Sequence, residues 1–270
     1  QMIHLLRKIG FIIVLYLTII AIYINKMNAK IYYELSLSIT LKKALKRSNI
    51  RIFDTWMYNG ESETAYIRIW RLYEYVDYFV IVIAAITHSG HQHNISFYPF
   101  EQEISRYKDK IIIIKFPTKI CYRHEYKLGK SWCREKSQRD YGLIALQNIM
   151  NLTKNDIFLV SDCDEIFTRE ALRYIIQNPP ETYYHVRGAT YFPHYFHRME
   201  EWNLAFVYRF NPKMHHLSKY RKPVRKLIQS ENIFVTHCTY CFRDIDQYRN
   251  KIKSFAHQEL NKPPFITNDW

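Results

Sequence analysis

Short apolar runs and longer mixed stretches alternate along most of this chain. Ile50 to Phe53, Tyr78 to Ala85, Ile111 to Phe116 and Ile157 to Val160 are rich in β-branched and aromatic residues. Runs of this length with hardly a polar break predict strands buried on both faces. Between and after them, apolar residues mix with charge in Glu61 to Val76, Phe97 to Tyr107, Trp132 to Met150 and Thr168 to Gln177. These predict helices, the last stopping before Pro179-Pro180. Strand and helix in alternation predict βαβ units: an α/β fold with a mainly parallel sheet flanked by helices. Beyond Pro180 the pattern changes. Thr182 to Tyr191, Ala205 to Phe210 and Asn232 to Val235 read as strands separated by polar, His-rich loops. Asp244 to Leu260 reads as a helix with Tyr248, Ile252 and Phe255 on one face.

The N-terminus has a different pattern. Ile9 to Ile24 is apolar apart from Gly10, Thr18 and the tyrosine hydroxyls, with Arg7 and Lys8 before it and Lys26 after. As a helix it would span about 24 Å, a little short of a typical hydrocarbon core, with the flanking charges snorkelling. That length suits a thinner early-secretory membrane. A cleaved signal peptide is the rival, but no A-x-A-like site follows. The expected organisation is a membrane anchor over 1–25, a polar, basic stem over 26–49 and one globular domain over 50–270. Arg7 and Lys8 balance Lys26 and Lys30, so charge does not orient the anchor. Sequons at Asn94 and Asn151 fit a lumenal domain and are the candidate N-glycosylation sites.

Composition narrows the function. An aromatic content of 16 % with only 6 Gly in 270 residues excludes a disordered chain. A net charge of +14 admits nucleic acid, an anionic membrane or a phosphate-bearing ligand. No zinc finger, RNA-binding aromatic signature or long basic run supports nucleic acid. The basic segment Lys213 to Lys226 reads as a mostly solvated loop. The absence of G-x-G-x-x-G argues against a dinucleotide enzyme or a P-loop NTPase. Of five cysteines, one C-x-x-C pair is too little for structural zinc. Cys121 with Cys133, or Cys238 with Cys241, suits a bridge in an oxidising lumen.

The stretch richest in chemistry is Ser161-Asp-Cys-Asp-Glu165. Three carboxylates crowded at the end of a buried strand need a compensating cation. Hard oxygen ligands suit Mg²⁺ or Mn²⁺ shared with substrate phosphates. Alternatively, Asp164 and Glu165 simply face the dipole of the helix starting near Thr168. Asp54, the loop after Ala85 and Asp162 all follow predicted strands. Parallel sheets bind ligands at that edge, which favours a site.

Further segments carry a resemblance. In order they are Phe53-Asp54 with Asn59-Gly60-Glu61, Ile67-Arg68, Val76 to Val82, Thr87 with Gly90, and Trp132 with Glu135. Gln138-Arg139-Asp140, Ser161 to Glu165, His237-Cys-Thr-Tyr-Cys241 and Ser254-Phe-Ala-His257 follow. From about Arg51 to Glu259 the chain resembles glycosyltransferase family 17. The resemblance implies a GT-A-like fold in a single-pass type II Golgi membrane protein with a lumenal catalytic part. It also implies an inverting, metal-dependent transfer of N-acetylglucosamine from UDP-GlcNAc to a mannose of a glycoprotein N-glycan, with Mn²⁺ (or Mg²⁺) at the Asp-x-Asp. Where the family tends to carry Glu-Ser-Asn, this chain has Ile83-Ala84-Ala85, and Val235-Thr236 replaces Gly-Trp. These departures motivate the alternative of a non-catalytic glycan- or nucleotide-sugar-binding relative.

Under this resemblance Asp164 is the first choice as metal ligand, and Asp162 acts directly or through water and ribose. His237, ahead of His257, is the candidate third ligand. Glu165 and Asp140, with Glu135 behind them, are candidates for the base that takes the acceptor's proton. Asp54, Arg68, Arg139 and Asp162 are candidates for donor binding. Arg–Asp packing between helix and sheet is the other role open to Asp54, Arg68 and Arg139.

Overall fold

The computed structural model describes residues 26, 49–93, 96–117, 129–191, 198–213, 216–222, 232, 234–242, 245–263 and 266. The chain divides into two compact units, Gln1–Ser48 and Asn49–Trp270. Of the first, only Lys26, in a helix, is among the described residues. The expected anchor, Asn94 and Cys121 lie outside them. Among the described residues no helix is long and apolar enough to cross a membrane.

The second unit is built on two sheets. In the first, β1 (Arg51–Tyr58), β2 (Tyr78–Ala84), β3 (Ile111–Phe116) and β4 (Asp156–Val160) run parallel in the order β3-β2-β1-β4. Two more strands extend it beyond β4: β9 (Phe206–Arg209), antiparallel to β4, and then β6 (Tyr183–His185), antiparallel to β9. The strand order reverses between β1 and β4, which is where open α/β sheets place their ligand crevice. Helix α1 (Ser62–Leu72) connects β1 to β2, and α2 (Glu101–Ser105) precedes β3. Helix α3 (Lys130–Ile149) packs on β1, β2 and β3. Gly142 permits that approach, since a Cβ there would lie 2.7 Å from Val82 Cγ2. Phe53, Val80, Val82, Leu143, Leu146 and Phe158 form the core beneath α3. Helix α4 (Arg169–Gln177) is capped by Thr168, whose Oγ1 accepts the Ala171 amide at 3.1 Å.

The second sheet has the order β5-β10-β7-β8: β5 (Glu165–Phe167), β10 (Val235–Cys238), β7 (Gly188–Tyr191) and β8 (Arg198–Trp202). Helix α5 (Ile245–Ser254) follows β10.

The mixed α/β architecture and the four parallel strands match the expectation from periodicity. Three local differences bear on the site. The first strand runs on to Tyr58, so Asp54 sits within it rather than at its end. A carboxylate interrupts the apolar pattern there, and its burial depends on a partner from α1. The stretch Thr182 to Tyr191 divides into β6 and β7, which serve different sheets. The last strand starts at Val235 rather than ending there, which brings His237 inside it. Its length is set by pairing with β5 and β7, a non-local cause that a sequence window does not contain.

Candidate functional site

The Asp-x-Asp loop, Ser161 to Asp164, joins β4 of the first sheet to β5 of the second. Arg68, reaching across from α1, holds it in place. The guanidinium donates to both Asp54 oxygens at 2.6 and 2.7 Å, and both side chains are wholly buried. Its remaining N–H groups go to the loop: to the Asp162 carbonyl at 2.6 Å, the Glu165 carbonyl at 3.0 Å and Ser161 Oγ at 2.7 Å. Two roles were open to Asp54 and Arg68, donor binding and Arg–Asp packing between helix and sheet, and the contacts seen are those of the second. Buried as they are, they position the loop.

Asp162 points to a second pair of cations. Its Oδ1 accepts from Arg139 of α3 at 2.8 Å, and its Oδ2 accepts from Arg221. Burial opposes its ionisation, yet Arg221 and Arg139 prevail and hold its carboxyl down at about 2. Arg221 also grips Glu165, donating at 2.8 Å to Oε2 and 2.5 Å to Oε1. Glu165 accepts the Trp202 indole N–H and the Asp162 amide as well, and is wholly buried. Both oxygens of this carboxylate are thus committed to groups of the protein itself. Asp140 is likewise fully buried, accepting from the amide and hydroxyl of Ser218 at 2.7 and 2.8 Å. It lies 3.2 Å from His216 Nδ1 and pins the turn Leu217–Lys219 to α3. Both candidate bases are therefore structural in this arrangement.

Asp164 sits apart from Asp162, facing α5 and β10. Its Oδ2 accepts from Lys251 Nζ at 2.6 Å and lies 3.7 Å from His237 Nε2. Burial again disfavours the charge, but Lys251 and His237 hold the carboxyl far below its usual range. Asp164 in turn raises the Lys251 ammonium pKa against the cost of its burial. Strand pairing explains the meeting: His237 of β10 is in register with Glu165 of β5 and Thr190 of β7. The imidazole also packs on Trp202, centroids 4.1 Å apart. Next to it Cys238 and Cys241 are bridged.

Two expected metal ligands, Asp164 and His237, thus stand side by side. A carboxylate and an imidazole suit Mn²⁺, and such ions complete their shell with phosphate and water. Asp162 does not join them, because both its oxygens are taken by arginines. Among the described residues no group of three or more His, Cys, Asp and Glu is arranged to hold a metal. The fit is a two-ligand one.

A cavity of about 820 Å³ opens at the carboxyl ends of β1 and β2. Its walls include Asn59, Gly60, Glu61, Thr87, Phe100, Phe242, Lys251 and Ser254. Glu61 Oε1 lies 3.9 Å from Lys251 Nζ, which links the cavity to Asp164. Ile83 and Ala84 are buried in β2, and Ile83 to Ala85 form no part of the cavity wall. Three residues here were not singled out by the sequence reading. Glu61 looked like an ordinary helix-start acid, although it belongs to an Asn-Gly-Glu segment. Arg221 lay in a basic stretch read as solvated. Lys251 was one more lysine on an amphipathic helix, with no signal of its own.

Cys163, between the two aspartates, is buried and unbridged. Burial and the nearby carboxylate of Glu61 push its thiol pKa well up. It is expected to resist iodoacetamide in the folded protein and to react only on unfolding, as peptide mass spectrometry with and without denaturant would read. Rapid labelling of the native protein would contradict this burial. Asn151 is exposed, as its candidate role in glycosylation requires.

Among family models, that of glycosyltransferase family 17 matches residues 17–267. No curated protein matches the chain.

Proposed function

Because the chain belongs to glycosyltransferase family 17 and therefore to the enzymes that move glycosyl groups, we propose that it transfers N-acetylglucosamine from UDP-GlcNAc to a mannose of a glycoprotein N-glycan, with inversion, on a GT-A-like fold. The observation that carries this reading is the cavity walled by Lys251, whose ammonium holds Asp164. It lies at the edge where parallel sheets bind nucleotides, and polar and aromatic walls suit a nucleoside and a sugar. Asp164 and His237 would hold Mn²⁺ or Mg²⁺, which when bound neutralises the diphosphate as a Lewis acid. Glu61 accepts ribose hydroxyls from the donor, and Arg139 and Arg221 fix the loop that carries Asp164. The acceptor hydroxyl oxygen attacks the anomeric carbon as the bond to the diphosphate breaks; the electron pair leaves with UDP and the hydroxyl proton passes to solvent water. The Cys238–Cys241 bridge supports an oxidising lumen, as expected for a Golgi enzyme anchored by residues 1–25.

Replacing Glu61 by Gln is expected to weaken donor binding about 10–100-fold, the worth of a hydrogen bond to a charged group. Calorimetry with UDP-GlcNAc reads it, and unchanged affinity would remove Glu61 from the donor site.

One observation favours a second reading, a non-catalytic sugar-nucleotide binder: Glu165 and Asp140 are both fully engaged. UDP release from UDP-GlcNAc on mannose-terminated glycopeptides separates the two. Acceptor-dependent release supports the transferase. Binding without release on any acceptor supports the second reading, and failure to bind any UDP-sugar defeats both.

A further inference from the structure

Lys251 joins two places that are otherwise separate. It forms part of the cavity wall, and its Nζ sits 2.6 Å from Asp164 Oδ2 and 3.9 Å from Glu61 Oε1. The side chain is only 15 % exposed. Its aromatic neighbour Phe242 lies 5.6 Å away and forms part of the same wall. The ammonium therefore stands on the carboxylate that a divalent ion would need, on a residue that also walls the space a ligand would fill. Two cations cannot share one carboxylate oxygen at contact distance without strong mutual repulsion. A diphosphate entering the cavity offers the ammonium a doubly charged alternative to Asp164.

We propose that Lys251 is an exchangeable counter-cation: it closes Asp164 to divalent metal in the empty site and moves to the diphosphate when a nucleoside diphosphate binds, so that metal and donor load together. The exchange rests on the nucleotide-sugar reading above; the closure of Asp164 does not. Lys251 is then a diphosphate-binding residue as well as a gate on the metal. Asp164 is released only when there is a leaving group to neutralise, and the ion is not held idle. Arg139 and Arg221 do not take part, because Asp162 and Glu165 hold both.

The test is a Mn²⁺ titration of the full chain, followed by electron paramagnetic resonance of free Mn²⁺, with and without UDP. The wild type is expected to bind Mn²⁺ at least about tenfold more tightly with UDP than without, since the nucleotide removes the competing state. Lys251→Gln is expected to bind Mn²⁺ alone at least about tenfold more tightly than the wild type, with little further gain from UDP. Lys251→Arg keeps the charge and should remain as weak as the wild type without nucleotide. Together with a thermal melt, it separates lost competition from lost folding. Equal Mn²⁺ affinity of wild type and Lys251→Gln in the absence of UDP would overturn the gate. Failure of UDP to bind the wild type would instead overturn the donor site and the exchange, leaving the metal-only comparison to judge the gate alone.

Discussion

Replacing Arg68 by Met is expected to destabilise the globular domain by about 3–5 kcal/mol, the usual cost of breaking a buried ion pair from one side. Arg68 and Asp54 are both wholly buried, so the change leaves the Asp54 carboxylate uncompensated between helix and sheet. It also removes one of the donors to the carbonyls of Asp162 and Glu165. At about 2–4 °C per kcal/mol for a domain of this size, the melting temperature should fall by roughly 6–20 °C. Chemical denaturation of the globular part gives the free energy directly. Pairing Arg68→Met with Asp54→Leu should recover part of the loss, because an apolar pair can replace a buried ion pair at little cost. A single-mutant loss below about 1 kcal/mol would mean that the pair does not hold the loop.

Asp164→Asn is expected to lower turnover about 10²–10³-fold, the scale seen when one charge-stabilising group is removed from a transition state, and to lower stability as well, since it leaves the largely buried Lys251 ammonium with only Glu61 at 3.9 Å. The carboxylate is the one member of the Asp-x-Asp pair that faces the cavity side through Lys251, and it is His237's nearest carboxylate oxygen at 3.7 Å. Asn keeps the shape but neither attracts a cation nor balances Lys251. Asp162→Asn serves as the comparison. Asp162 is bound by two arginines rather than by a ligand, so its loss should appear as much in stability as in rate. Steady-state UDP release on purified variants, with circular dichroism as the folding check, reads both. A Asp164→Asn enzyme with unaltered kcat would show that the leaving group is neutralised elsewhere.

These two expectations divide what was legible in the chain from what was not. The Asp-x-Asp loop could be read because its signal is local. A run of buried apolar residues must stop where carboxylates begin, and in a βαβ pattern that stop falls at the ligand edge. The need for a compensating cation could also be read from three crowded acids. Which cations answer that need could not. Arg68 is 94 residues from Asp162, Arg221 is 59 and Lys251 is 87 residues from Asp164. Glu165 and Asp140 looked like free acids for the same reason, since the groups that saturate them arrive from β8, residue 221 and the turn at Ser218.

By itself, then, the sequence determined the parallel βαβ core, the position of the acidic loop at its carboxyl edge and the family. Periodicity and short-range order are properties of neighbouring residues, and an ordered series of motifs survives without coordinates. Only the tertiary structure decided that the two aspartates do different work. Strand pairing turns Asp164 toward His237 and Lys251, and helix packing turns Asp162 into the grip of two arginines. The physical reason is that a buried charge takes its role from whichever opposite charge the fold brings within contact distance, and that partner is chosen by packing rather than by spacing along the chain.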